Sequence, residues 1–379
     1  MTQFRDYGVD SVPCRAYTRQ DSRQPGIKED NMKKTYLLGA ALLLCAGAEA
    51  QTNSYSSFNI VTNSQDSHLI NPWGISRAAS KSVAENEWWV SDNVTGLSTL
   101  YDADGTIAGL TVKIPPAGTT GVGSPTGTAA YSIGSSNVNF AFATLDGTIS
   151  YWNSQTPPTK KGSSCAACHI STATIMVNNA ASGASYQGLT IAKNAISGAE
   201  TFYAANANGG IEAYDAASFA PVTLPPGAFT DSKIPNTYSP AGIQAIGSKI
   251  YVTYNAIAGG GTGYVDAYNT NGKLMLRIGT TEWFNQPWGV ALAPANFGAF
   301  SNMILVGNTG SGWIGAYNAT NGTFQGFLDN TGGSELTIPG LWGLSFGNGS
   351  SETGPTTTLY FAAGGPNLTA GTFGAITAN

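Results

Sequence analysis

Asn71-Pro72-Trp73-Gly74-Ile75 is followed by Trp89-Val90-Ser91-Asp92-Asn93 and then by Gly96-Leu97-Ser98-Thr99-Leu100-Tyr101. Short runs rich in β-branched and aromatic residues, separated by Gly, Asn and Asp, read as strands joined by turns. The stretch decides the fold because it returns. Aligned on its Gly, the chain repeats Asn71-Pro-Trp-Gly74-Ile, Ser124-Pro-Thr-Gly127-Thr, Ser185-Tyr-Gln-Gly188-Leu, Ser239-Pro-Ala-Gly242-Ile, Gln286-Pro-Trp-Gly289-Val and Gly340-Leu-Trp-Gly343-Leu, at spacings of 53, 61, 54, 47 and 54 residues. Each copy opens a first strand. A second follows at Trp88 to Ser91, Phe140 to Thr144, Phe202 to Ala205, Ile250 to Tyr254, Ile304 to Gly307 and Leu359 to Ala362. A third tends to end in an aromatic residue followed by Asp or Asn, and Asp104-Gly105, Asn271-Gly272 and Asn321-Gly322 then signal hairpins. Outer strands are legible at Leu110 to Ile114, Thr174 to Val177 and Leu274 to Ile278.

Six units of about 50 residues with four antiparallel strands each predict an all-β, six-bladed β-propeller. The sixth unit runs out after three strands, near Ile376, while an unassigned strand, Phe58-Asn59-Ile60-Val61-Thr62, precedes the first copy. The N-terminal strand is therefore expected to complete blade six and close the ring, removing the edge an open array would leave.

Composition agrees with this reading. Of 379 residues only 10% are charged, and 48 are Gly. Lys33-Lys34, the apolar run Tyr36 to Ala46 and Ala48-Glu49-Ala50 form a basic start, a short apolar middle and a small-residue cleavage site before Gln51. Residues 32–50 thus read as a signal peptide too short to anchor, 1–31 as sequence upstream of the true start at Met32, and 51–379 as a single propeller domain that is exported to the periplasm or outside the cell. From residue 51 onward the chain holds 10 Lys plus Arg against 16 Asp plus Glu. This sparse, mildly acidic surface neutralises few phosphates, so neither nucleic acid nor an anionic membrane is an expected partner. The expected state is a monomer.

The opening motif, Ser91-Asp92-Asn93-Val94-Thr95-Gly96-Leu97-Ser98-Thr99-Leu100-Tyr101, the run Leu145-Asp146-Gly147-Thr148-Ile149-Ser150-Tyr151-Trp152, and Phe229-Thr230-Asp231 resemble an uncharacterised family of exported bacterial propeller proteins. That family is similar in fold to propellers with NHL-type repeats, in the TolB-like superfamily. The resemblance spans about Phe58 to Ile376 and implies fold and export, and no activity.

On the propeller plan the loops leading into each blade and the turns joining its second and third strands share one face, around the channel mouth. Asn71, Asp92, Asn93, Asp146, Asn206, Asn208, Asn255, Glu282, Asn285, Gln286 and Asn308 fall there. One reading makes this a ligand face for a small molecule, glycan or protein. A second makes Asp92, Glu282, Asn206, Asn255 and Asn308 oxygen ligands for calcium, in a hydrolase similar to six-bladed lactonases. In a third, the same side chains serve their own turns. Trp73, Trp288 and Trp342 share one repeat position and are expected to wedge neighbouring blades. The sharpest local motif is Cys165-Ala166-Ala167-Cys168-His169. It has the attachment pattern of a c-type haem, with Cys165 and Cys168 bound covalently, His169 as axial ligand and Met176 nearest as a second; a short-loop disulfide or free thiol pair, and another metal, are the alternatives. It lies in a polar insert between the third and fourth strands of blade two, expected at the outer edge of the opposite face. An electron-transfer protein is thus a reading beside the binding module.

Overall fold

A computed structural model describes residues 52–79, 86–132, 138–153 and 169–379. The expected leader and both motif cysteines, Cys165 and Cys168, lie outside the described residues.

The first strand, β1 (Tyr55–Thr62), is set aside until the last sheet, and the remaining strands form six successive sheets. Blade 1 holds β2 (Pro72–Ser76), β3 (Trp88–Asp92), β4 (Leu97–Tyr101) and β5 (Leu110–Lys113). Blade 2 holds β6 (Pro125–Ser132), β7 (Val138–Thr144) and β8 (Thr148–Asn153). Its outermost strand is β10 (Thr174–Asn178), which follows β9 (His169–Thr172). Blade 3 is β11 (Tyr186–Lys193), β12 (Glu200–Asn206) and β13 (Gly210–Asp215). Blade 4 is β14 (Tyr238–Ile246), β15 (Lys249–Ala256), β16 (Gly263–Asn269) and β17 (Leu274–Ile278). Blade 5 is β18 (Pro287–Leu292), β19 (Met303–Asn308), β20 (Ile314–Asn318) and β21 (Phe324–Phe327). Blade 6 is β22 (Leu341–Phe346), β23 (Leu359–Ala363), β24 (Thr372–Ala378) and, outermost, β1.

The six first strands, β2, β6, β11, β14, β18 and β22, touch one another in turn and the last touches the first, which makes a closed ring. The repeated Gly is what permits that closure. A Cβ on Gly74 would stand 2.5 Å from the Thr126 carbonyl oxygen, and one on Gly127 2.1 Å from the Leu189 nitrogen. Gly188, Gly242, Gly289 and Gly343 meet the backbone of Ala241, Trp288, Trp342 and Trp73 in the same way. Each Gly thus faces the next blade's first strand at a distance no side chain fits. The strand also carries a register shift across the motif in every blade, as between Pro72 and Ile75. Such a bulge bends the strand locally where it meets its neighbour.

Each blade is sandwiched between two others, so its middle strands bury both faces and read as continuous apolar runs. On β3, Trp88 packs on Tyr360 and Phe373 of blade 6, while its neighbour Trp89 stacks on Phe140 of blade 2 at 3.9 Å. Six apolar cores fill the six gaps between blades. Burying each large ring contributes roughly 2–3 kcal/mol.

The ring closes as the leftover N-terminal strand predicted. β1 pairs antiparallel with β24, Tyr55 opposite Ala378 and Thr62 opposite Thr372. Tyr55 is fully buried; its hydroxyl donates to the Phe297 carbonyl at 3.0 Å and accepts from the Phe300 amide at 3.1 Å. One side chain therefore locks the closing strand onto the β18–β19 loop of blade 5.

Two blades depart from four strands. Blade 3 has three, with only a single bridge, Tyr214 to Pro221, where a fourth would lie. Blade 1 has five, because β9 pairs in parallel with β5, Leu110 opposite His169 and Lys113 opposite Thr172. The chain leaving the insert therefore docks on blade 1 before β10 joins blade 2. Ala173 donates to the Lys113 carbonyl at 2.9 Å, and Trp152 Nε1 to Ser171 Oγ at 2.9 Å. The segment covers the open edge of β5 and stitches two blades together.

Candidate functional site

At the end of the ring where the loops lead into the blades, the three tryptophans meet on the axis. Trp73 and Trp342 stack at 3.8 Å with planes 15° apart, and Trp288 meets both edge-on at 6.2 and 5.9 Å. All three are at most 8% exposed. Trp342 Nε1 donates to Asn71 Oδ1 at 3.0 Å, and Trp288 Nε1 crosses from blade 5 to the Gln187 carbonyl of blade 3 at 3.1 Å. The expectation that they wedge neighbouring blades is thus corrected: the rings form a single plug across the channel. Beneath it the channel, lined by Gly74, Gly127, Leu189, Ile243 and Gly343, encloses about 20 Å³, room for one water.

The plug depends on unusual backbone. Asn71 and Gln286 hold φ of 48° and 55°, and Gly340 holds 68°. These are the residues two positions before Trp73, Trp288 and Trp342. A left-handed residue re-aims the start of the strand, and for Asn and Gln it costs on the order of 1 kcal/mol.

Around the plug the polar side chains turn back onto the backbone. Asn206 and Asn308, each the last residue of a second strand, accept the amides of Ser185 and Asn285 at 3.0 and 2.8 Å. Asn93 donates to the Pro125 carbonyl at 3.2 Å, and Asn255, with its amide oriented to satisfy both ends, donates to the Pro287 carbonyl at 3.2 Å. Asn208 donates to Gly183, Asp146 accepts the Ala117 amide, and the Gln286 carbonyl accepts the Thr309 amide. Each second-to-third-strand turn thereby ties down the loop into its own blade or the next one.

These residues do not fit a cation cage. The amide oxygens of Asn206 and Asn308 are spent on N–H donors, which a cation would displace. Asp92 is fully buried: burial raises its carboxyl well above the usual carboxylate range, Thr99 donates to one oxygen at 2.8 Å, and the other oxygen has no partner. Glu282 is exposed and lines a separate hollow. Among the described residues no group of three His, Cys, Asp or Glu is placed to hold a metal ion. Of the Cys165-Cys168-His169 motif only the backbone of His169 is described, as the first residue of β9. Met176 is exposed on β10. His68 Nδ1 lies 3.0 Å from Asp66, whose other oxygen accepts the Tyr101 hydroxyl at 2.9 Å.

Sequence reasoning missed two carboxylates inside blades 3 and 4. Glu212 receives Asn206 Nδ2 at 2.6 Å and the hydroxyls of Tyr186 and Tyr214 at 2.7 and 2.5 Å. Burial pushes its carboxyl up, but these donors outweigh it and hold the group below its ordinary range. Asp266, fully buried, accepts from Tyr268 at 3.1 Å. Arg277 pairs with Asp231 and lies 3.5 Å from Asp266, joining the outer strand of blade 4 to the β13–β14 loop. A signal did exist: Glu212-Ala-Tyr214 and Asp266-Ala-Tyr268 place an acid two residues before the repeated Tyr, at one position of the third strand.

Among the described residues, the large apolar side chains exposed at this end are those of Val94, Val122, Ile257 and Trp283, all in incoming loops or second-to-third-strand turns. In the same incoming loop as Trp283, an open hollow of about 320 Å³ is lined by Tyr264, Arg277, Thr280, Thr281, Glu282 and Phe284.

No protein-family model matches the chain. Its sequence is similar to three uncharacterised proteins of Acanthamoeba polyphaga mimivirus. One is 28% identical over 300 residues, 74% of this chain and 69% of the relative. A second is 28% identical over 345 residues, 85% and 83%, and a third 29% identical over 216 residues, 54% and 37%. The relatives bring no activity with them. Among solved structures the chain is similar to a glucose dehydrogenase, with a TM-score of 0.48, 12% identity and coverage of 86% of this chain and 100% of the other. It is also similar to a Dos1 propeller, at TM-score 0.43, 10% identity and coverage of 77% and 75%. The architecture itself stands on the chain's own sheet order.

Proposed function

We infer that the chain is an exported interaction module, a rigid six-bladed ring that offers a partner the end where incoming loops and second-to-third-strand turns converge. The observation that supports this most is the tryptophan plug. It covers the channel at this end with three buried rings, so a ligand arriving here meets the rim and not the lumen. Around that rim the amides of Asn93, Asn206, Asn255 and Asn308 stiffen the turns, and a stiff surface loses little entropy on binding. Val94, Val122 and Ile257 stand exposed on the loops and turns of that end and give a partner apolar side chains to cover. The leader read from residues 32–50 supports a partner outside the cytoplasm.

The test is photo-crosslinking in the source cells, with a photoreactive residue at position 94, 122 or 257 and controls at positions 58 and 275 on the outer rim. A discrete adduct from the first three alone is the expected result. Adducts equally from the controls, or from none, would remove the reading. Recovery of mature protein beginning at Gln51 outside the cytoplasm tests export in the same cells.

A further inference from the structure

We propose that the off-axis hollow on blade 4 is a saccharide site, taking one ring of a neutral oligosaccharide. It lies at the same end of the ring, in the loop into blade 5, but a saccharide there does not depend on a partner being bound across the rest of that end. Its volume of about 320 Å³ is at the small end of ligand pockets, where roughly 300–1,000 Å³ is usual, and suits a single sugar ring with solvent at its edge.

The lining supplies the chemistry a pyranose needs. A sugar ring has an apolar C–H face and a rim of hydroxyls that both donate and accept. For the rim, the hollow offers the Arg277 guanidinium as donor, the Thr280 and Thr281 hydroxyls, and the carboxylate of Glu282 as acceptor for adjacent hydroxyls. Arg277 is held by Asp231 and Asp266, so its donors are placed before a ligand arrives. Glu282 is exposed and has no hydrogen bond or ion pair among the described residues, which leaves both oxygens free to accept.

Two aromatic residues, Tyr264 and Phe284, line the hollow, and Trp283 stands between the lining residues Glu282 and Phe284 in the chain without lining it itself. Tyr264 lines it and is braced edge-on by Tyr238 at 4.8 Å. Trp283, adjoining Glu282, is 36% exposed yet fixed, stacked on Phe324 at 4.2 Å with planes 10° apart. Phe327 meets both Trp283 and Phe324, and Trp313 meets Phe327, so the exposed ring belongs to a continuous aromatic ridge. A lone exposed Trp would need no explanation; a braced one next in the chain to an unpaired carboxylate that lines a hollow does. Charge selects within the class: Asp231, Asp266 and Glu282 outnumber Arg277, so an acidic sugar is disfavoured.

The experiment titrates the mature protein with cello-, malto- and mannohexaose as neutral probes and with oligogalacturonate as the acidic one, by calorimetry and tryptophan fluorescence. Saturable binding of a neutral probe is expected, with no binding of the acidic one. Glu282→Gln and Trp283→Ala should each weaken it at least about tenfold, close to 1.4 kcal/mol, at unchanged melting temperature, and Trp283→Phe should restore most of it. Silence from all neutral probes at about 10 mM, where even sites of Kd near 1 mM fill, overturns the proposal. So does binding that survives both substitutions, or binding of the acidic probe alone. Crosslinking from positions 94, 122 and 257 is read independently, so either result can fail without the other.

Discussion

Replacing Gly242 by Ala tests whether the repeated Gly is there for space. Its φ is ordinary, so the substitution carries no conformational penalty, and what changes is one methyl group. That group would lie 2.0 Å from the Trp288 carbonyl oxygen, where van der Waals contact begins at 3.4 Å. The first strands of blades 4 and 5 must then part by about 1.4 Å, and small-to-large changes in packed cores typically cost about 1–3 kcal/mol. The upper end applies because neither strand can yield alone. β14 and β18 are each held in their own sheets, and moving blade 5 outward presses Gly289 onto the Trp342 carbonyl, already 2.3 Å from a Cβ at that position. With an unfolding entropy of about 2.1 cal/mol/K per residue over roughly 330 residues, about 3 kcal/mol lowers the melting temperature by about 4 °C. Gly118→Ala is the control: nothing lies within 4 Å of its Cβ, and the melting temperature should hold or rise by about 1 °C as the unfolded chain loses entropy. Thermal melts followed by far-ultraviolet circular dichroism compare the two. If Gly242→Ala melts within about 1 °C of the parent, close approach is not why the motif needs Gly.

Tyr55→Ala removes a fully buried ring and both hydrogen bonds that lock the closing strand, so a loss of about 3–5 kcal/mol is expected, or about 4–7 °C; a melt unchanged by the substitution would mean the ring closes without it. Asp92 titrates in the opposite sense to a salt-bridged carboxylate. Its folded pKa is raised, so its contribution is fully present below the unfolded value of 3.8 and is lost as pH rises toward the folded one. Asp92→Asn removes that titration, and its melting temperature relative to the parent should climb as pH rises above the unfolded value; a constant or falling difference contradicts the burial argument.

Much of the scaffold was legible. The recurring Gly, the second-strand runs and the Asp-Gly and Asn-Gly turns are short-range patterns, and each marks an element that forms as expected. The spare Phe58 to Thr62 run marked the closing strand because the sixth unit runs out after three strands and a strand ahead of the first unit has no unit of its own. The site was less legible. Asn206 and Asn308 are identical in sequence terms to metal-ligating amides, and only the positions of Ser185 and Asn285 reveal what their oxygens accept. Glu212 and Asp266 passed unseen because a strand residue before a Tyr looks like surface alternation until its partners, Tyr186 or Arg277, are known. β9 was invisible for the same reason: its partner β5 lies in another blade.

What the chain's sequence determines by itself is the count and order of the blades, since each blade is built from neighbours within about 50 residues and its pattern repeats. Tertiary structure alone decided what fills the centre and what the face can bind. Trp73, Trp288 and Trp342 are one residue type at one repeat position, and sequence makes them three equivalent wedges. Closing the ring carries residues more than two hundred positions apart to one axis. There a stacked pair and one edge-on ring fit, so equivalent positions acquire different roles and the channel is shut.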